Sequence, residues 1–445
     1  MSIQGLSILA LIVVFAVATA LPLNMGALAL AATFFVGILG LGLSTRDVFA
    51  GFPGDLFVTL VGVTYLFAIA QKNGTVDWLV ERAVLLVRGH VAAIPWVMFL
   101  VAALLTAFGA LGPAAVAILA PVALTFAAQY RVHPVMMGLM VIHGAQAGGF
   151  SPISVYGGIV NGLVEKAGLT PAVMEIFAAS FLFNLAIAMA LFVAFGGLRA
   201  GWARGGAKLA PDPHPEPVSR SLQGHGGTPA TATVAHPANA RPGQPTPLNL
   251  HRGVTLAGLA ALAVGAIVFE FNVGLLALVV AVGLSLLAPR SQKGAIDKVS
   301  WSTVLLICGV ITYVEVMQRA GTVDQVGAAI SSVGSPLLAA LLLCFTGAIV
   351  SAFASSTALL GAVIPLATPF LAQGRISAIG VIAAISVCTT IVDTSPFSTN
   401  GALVVANAPE EGREKVLRTL LIYSAIVVAS GPVLAWLVLV VPNWT

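Results

Sequence analysis

Two short segments far apart in the chain carry most of the groups able to do chemistry. Gly148-Gly149-Phe150-Ser151-Pro152-Ile153-Ser154 and Asp393-Thr394-Ser395-Pro396-Phe397-Ser398 each set a Ser-Pro pair inside an apolar run. Proline removes a backbone donor and clashes with the turn before it, so a helix must break there. A break in an apolar run frees amides and carbonyls, which are tolerated at membrane depth only against protein or a polar cavity. Freed amides at a helix start attract an anion, whereas freed carbonyls and hydroxyls suit a cation. Asp393 is the one acidic group at either break. A carboxylate buried centrally in a membrane costs roughly 2.5–3.5 kcal/mol, so it calls for a bound cation or a proton as partner.

Two further stops lie at the tips of paired apolar arms. The first is Gly109-Ala110-Leu111-Gly112-Pro113 and the second Ala354-Ser355-Ser356-Thr357. Tips and breaks together give the candidate substrate ligands Gly112, Pro113, Ser151, Ser154, Ser355, Ser356, Thr357, Ser395 and Ser398. His143 and Gln146, three apart on one helix face before the first break, join that set. Ser355, Thr357, Asp393 and Thr394, with the backbone at Gly109, Gly148 and Gly149, are the candidate cation ligands. Hard oxygen donors of this kind suit an alkali cation. A hydrolase built from Ser151 or Ser154 with His143 is disfavoured, because Val387 stands where the second half should repeat the histidine. No catalytic residue and no organic cofactor is expected; sodium is the expected coupling ion, with protons as the alternative.

The elements that must position these groups form two copies. Gln71 to Asp77 repeats in Gln318 to Asp324 at an offset of 247. Pro121, Gln129 and Arg131 repeat in Pro365, Gln373 and Arg375 at 244, as do Ser151-Pro152-Ile153-Ser154 and Gly157 in Ser395-Pro396-Phe397-Ser398 and Gly401. Apolar periodicity predicts helices over 4–21, 24–43, 55–71, 76–88, 92–108, 113–128, 134–147, 155–166 and 172–196. It predicts them again over 253–270, 273–288, 302–318, 322–333, 335–352, 357–372, 376–390, 399–407 and 417–440. Residues 203–250, rich in Pro, Gly and Thr, have no apolar period and read as a disordered linker. The division is therefore 1–202, an N-terminal transmembrane repeat; 203–250, a cytoplasmic linker; and 251–445, a C-terminal inverted repeat. Internal repeats of this kind are a transporter signature.

Composition agrees. The 445 residues are 59% hydrophobic and 8% charged, against roughly 25% charged in soluble domains. The predicted fold is an all-α membrane protein of two inverted repeats. It has about ten transmembrane helices, each near 20 residues, plus two re-entrant hairpins and two broken helices. The basic residues sit in loops with no aromatic-basic patch, so no nucleic-acid partner is expected. Cys308, Cys344 and Cys388 lie in apolar runs without metal spacing. Met1 to Gly5 lacks the basic residues of a signal peptide, so 4–21 reads as a retained first helix. With five crossings per half, the linker lies opposite both termini. Sixteen of the twenty Lys and Arg residues then fall on the linker's face, and Arg46, Lys166, Arg319 and Arg375 on the other. The positive-inside rule makes the linker cytoplasmic and both termini external, in a cell inner membrane.

The layout of span, arm, hairpin and broken helix, twice over, resembles the divalent anion:sodium symporter fold of the ion transporter superfamily. Gly51-Phe52-Pro53-Gly54-Asp55-Leu56-Phe57 through Asn73-Gly74-Thr75-Val76-Asp77-Trp78-Leu79 is similar to the N-terminal domain of the MatC dicarboxylate carriers, linked to malonate uptake. The resemblance implies a cation-coupled importer of a small organic dianion, working in lipid as a homodimer by an elevator motion. An exporter or antiporter of the same superfamily is the alternative. Family members carry Ser-Asn-Thr at each tip, where it binds substrate carboxylate and sodium. Here the second tip reads Ser355-Ser356-Thr357 and the first, Leu111-Gly112-Pro113, has no hydroxyl.

Overall fold

Side chains that accept from free amides set many of the helix starts. Ser2 caps one start by accepting from Gly5 N, and Asn249 another from Arg252 N. Asn24 accepts from Gly26 and Ala27, and Asn272 from Leu275. The caps thus recur 247 or 248 residues apart, which is the repeat seen at the level of single hydrogen bonds. The structure, a computed structural model, describes residues 2–442 apart from Pro22, 87–90, 197–246, Val333 and 353–354. The expected linker therefore lies almost wholly outside the described residues, as does Ala354 of the second tip.

The first half runs α1 (Ile3–Ala20), α2 (Met25–Ala32), α3 (Thr45–Ala50), α4 (Gly54–Lys72), α5 (Thr75–Leu86), α6 (Ile94–Ala107), α7 (Gly112–Tyr130), α8 (Pro134–Gly148), α9 (Val155–Lys166) and α10 (Val173–Ala194). The second runs α11 (Leu250–Ile267), α12 (Val273–Leu287), α13 (Trp301–Arg319), α14 (Thr322–Ser331), α15 (Pro336–Ser351), α16 (Ser356–Leu371), α17 (Ala378–Ile391), α18 (Thr399–Ala406) and α19 (Arg413–Ala435). No strand occurs among the described residues, and eight helices are long and apolar enough to cross a membrane. The α-helix expected over 24–43 stops at Ala32 and continues as a π-helix, Thr33–Gly40. The short α3, opened by a Ser44–Asp47 capping box, was not foreseen, because six residues carry no apolar period.

The halves interlock reciprocally. α2 packs on α13, and α12 on α4. α9 packs on α16, and α18 on α7. α1 meets α14, where Ser7 Oγ and Thr322 Oγ1 are 2.7 Å apart; α11 meets α5, where Asn73 donates to Thr255 Oγ1 at 2.7 Å. Glycine permits the closest crossings. A Cβ on Gly62 would lie 2.5 Å from the Gly274 carbonyl oxygen, and one on Gly274 would lie 2.6 Å from Thr59 N. In the counterpart crossing, a Cβ on Gly309 would strike the Gly26 backbone and one on Gly26 the Leu305 carbonyl. Only hydrogen in place of a side chain lets these backbones meet. The three cysteines are free and buried.

Candidate functional site

The α6–α7 hairpin turns inside the protein, and the α15–α16 turn passes through residues 353–354, outside the described residues. At the first tip Gly109 takes φ +101, a conformation that favours glycine, and Gly109, Ala110 and Gly112 are buried. At the second, Ser356 and Thr357 are buried while Ser355 is exposed. Neither α7 nor α16 has a side-chain cap at its start. The first-turn amides of both are therefore open to another acceptor.

The two breaks are built alike. Ser154 Oγ lies 2.5 Å from the Gly149 carbonyl oxygen and 2.7 Å from that of Ser151, and accepts from Gly157 N at 3.1 Å. Ser398 Oγ lies 2.5 Å from the Asp393 carbonyl oxygen and 2.7 Å from that of Ser395, and accepts from Gly401 N at 3.5 Å. A Cβ on Gly157 or Gly401 would run into the Ser151 or Ser395 carbonyl. The repeated Ser-Pro-x-Ser-x-x-Gly is thus a folding unit. Its last serine braces the break and caps the helix that follows. Ser151 Oγ donates to the Ala107 carbonyl at 2.6 Å, tying the first break to the end of α6. Ser395 Oγ accepts from Phe397 N at 3.2 Å, and Thr394 Oγ1 donates to the Ile391 carbonyl at 3.3 Å. Gly148 lies so close to α6 that a Cβ would strike the Ala103 carbonyl.

Break and tip meet at Asp393. Ser351 Oγ donates to Ser356 Oγ at 2.9 Å, and Ser356 Oγ donates to Asp393 Oδ1 at 2.5 Å. The Asp393 side chain is 92% withdrawn from solvent, being 8% exposed, and no ion pair among the described residues neutralises it. The Tyr156 hydroxyl lies beside Thr357 and within electrostatic reach of Asp393. At the first tip Pro113 and Gly149 occupy the positions of Thr357 and Asp393, so backbone predominates. The Asn400 carboxamide nitrogen comes 3.5 Å from where a Cβ on Gly112 would sit. Tyr156 and Asn400 are themselves counterparts at the 244 offset, each reaching from one half to the tip of the other. Sequence reading passed over both; the repeat register was the signal that could have found them.

His143 and Gln146 are buried among packed helices. His143 Nδ1 lies 2.9 Å from Asn184 Oδ1 and Nε2 2.6 Å from the Tyr423 hydroxyl. Gln146 Nε2 donates to the Thr390 carbonyl at 2.8 Å. Neither ring nitrogen is bonded to Ser151 or Ser154, so the hydrolase geometry is not formed. Asn184 bonds across helices to His143, whereas Asn161 bonds within its own helix, to the Gly157 carbonyl. At the end of α9 away from the break, Glu315 joins Lys166 at 3.2 Å and Arg319 at 3.5 Å, and Arg319 also meets Asp47. No group of three or more His, Cys, Asp or Glu side chains able to hold a metal occurs among the described residues.

Residues 1–149 match the family model described as the N-terminus of the dicarboxylate carrier protein MatC. No curated protein matches the chain in sequence. Among solved structures, the Alcanivorax borkumensis YdaH transporter is similar with a TM-score of 0.54 at 14% identity. That match covers 89% of this chain and 88% of the other. Neisseria gonorrhoeae MtrF, described within a class of antimetabolite efflux pumps, is similar with a TM-score of 0.58 at 13% identity, covering 99% and 94%. At such identities the likeness is one of fold. It is the fold of multi-pass membrane transporters, reached here from an all-α chain with apolar spans.

Proposed function

We propose that this membrane transporter imports a small dicarboxylate, malonate or a C4-dicarboxylate, coupled to sodium or protons. The observation that carries the reading is that each broken helix lies against a hairpin: Ser356 at the second tip bonds Asp393 of the second break, and Ser151 ties the first break to the end of α6. Open helix starts supply partial positive charge for carboxylate. Hydroxyls and carbonyls beside Asp393 supply oxygen ligands for a cation. The match of residues 1–149 to the MatC N-terminus supports the substrate class. In this reading the halves, 1–202 and 251–445, are inverted in an inner membrane. Both termini lie outside, the 203–250 linker is cytoplasmic, and two copies associate.

The test is uptake of labelled malonate and succinate into proteoliposomes under imposed sodium or proton gradients. Accumulation driven by either gradient supports the reading, and the driving gradient names the coupling ion. No accumulation of either substrate under any gradient rejects it. The alternative, an exporter or antiporter, draws support from the likeness to an efflux pump. It would appear as transport only against an opposed gradient.

A further inference from the structure

We propose that Asn400 is a ligand of the transported molecule, and that the first hairpin tip reads one carboxylate through it. The inference rests on the carrier reading above. The second tip shows what a tip of this protein accepts. There the protein's own carboxyl group, Asp393, lies against the start of α16 and is bonded by Ser356. An uncapped helix start with its amides and dipole favours such a group.

The first tip repeats that construction with one exchange. α7 also starts without a side-chain cap, but its break carries Gly149 in the register of Asp393, so that break brings no carboxylate to it. The other half supplies a carboxamide instead. Asn400 is 2% exposed, its nitrogen lies 3.5 Å from the Cβ position of Gly112, and its Oδ1 has no hydrogen-bond partner among the described residues. Leaving such a buried polar atom unpaired costs about 1–3 kcal/mol, which protein interiors rarely tolerate without a reason.

A carboxamide exchanges its oxygen and NH2 by a half-turn about its last torsion. Toward a carboxylate it offers NH2. Pro113 has no N–H, so the neighbouring donors in the first turn of α7 are the amides of Gly112 and Ala114. Three donors with no fixed negative charge suit one carboxylate. Where the far end of the molecule reaches Asp393, it meets Tyr156, which lies within electrostatic reach of that carboxyl group. A second carboxylate there requires the coupling cation or proton between it and Asp393. Asn400 therefore sets the polarity of the bound substrate as well as its affinity.

The experiment measures binding of labelled malonate to the purified full-length protein in nanodiscs, with monomethyl and dimethyl malonate as competitors. Asn400→Asp keeps the shape and adds a repelling charge, so malonate should bind about 10- to 100-fold more weakly, the range of a lost charge-assisted hydrogen bond. Asn400→Ala, read beside it, should weaken binding with a melting temperature near that of the parent. Monomethyl malonate should compete within about tenfold of malonate, because one carboxylate is enough for the first tip. Dimethyl malonate should not compete. Binding by both well-folded Asn400 variants within about twofold of the parent overturns the proposal, as does equal competition by the dimethyl ester. If the parent itself binds neither malonate nor succinate, the carrier reading fails. If the parent binds and the variants match it, only the assignment of Asn400 fails.

Discussion

Gln146 Nε2 donates to the carbonyl oxygen of Thr390 at 2.8 Å, and the two residues are counterparts, 244 positions apart in the chain. The bond joins α8 to α17 across the two halves of the chain. Gln146→Leu should destabilise the protein by about 0.5–1.5 kcal/mol, since it removes a buried hydrogen bond and leaves the Thr390 carbonyl only the Val392 N–H. Thr390→Ala should do less, because the Thr390 hydroxyl bonds only within its own helix, to Ser386 and Val387. Thermal unfolding of both variants in detergent checks the order; equal losses would mean that the bond adds nothing.

The glycine crossings make a sharper claim on packing. Gly62→Ala and Gly274→Ala each force a methyl against backbone that cannot rotate away, and should cost about 1–3 kcal/mol or prevent folding. Gly283→Ala, where nothing lies within 4 Å, should be neutral or mildly stabilising. The yield of monodisperse protein and its melting temperature distinguish the three.

Asp393→Asn keeps size and removes charge. It should flatten the dependence of uptake on the coupling ion, lowering its activation about tenfold or more, the weight of roughly 1.4 kcal/mol. Ser151→Ala should instead lower substrate affinity with less change in ion dependence. Uptake against sodium concentration, and separately against pH, is the measurement. An unchanged activation curve for Asp393→Asn would make Asp393 a structural partner of Ser356 alone.

The orientation of the chain can be read with single cysteines. A cysteine at Arg220 should react only with reagent on the cytoplasmic side and one at Ser2 only from outside, in a background lacking Cys308, Cys344 and Cys388. Labelling of both from one face would require an even number of crossings in the first half and would sink the inverted repeat.

His133, at the turn before α8, stacks on Phe195 with ring centroids 4.6 Å apart, and its Nδ1 is buried without a partner. Burial holds its imidazole below the ordinary histidine value, and Lys415 adds to the effect. The unfolded chain therefore takes up the proton first as pH falls. Stability should be level well above pH 6.5 and decline as pH drops below it. Melting temperature against pH for the parent and for His133→Phe checks the sign, with the decline shallower in the variant.

Much of the fold was legible because membrane helices write their lengths as apolar runs. The expected boundaries of α4, α7, α8 and α9 stand within two residues of those observed. The register of the repeat was legible as well, since Ser151, Ser154 and Gly157 recur with their spacing intact. Their hydrogen bonds show why: the spacing is what closes the break. Tyr156 and Asn400 escaped notice because each serves the half it does not belong to. Periodicity describes a residue's own helix and says nothing of a tip 201 residues away, like Thr357 from Tyr156, or 288 away, like Gly112 from Asn400. The π-helix over Thr33–Gly40 left no mark either, because its apolar run has the composition of an α-helix.

The reciprocal packing of α2 on α13 and α12 on α4, with α9 on α16 and α18 on α7, bears on how the chain can be made. Neither half keeps its tip or its long arm helix covered by its own elements alone. A single half, made as a separate chain, would leave those faces bare until the other was present to cover them, so neither half can finish folding before the whole chain exists.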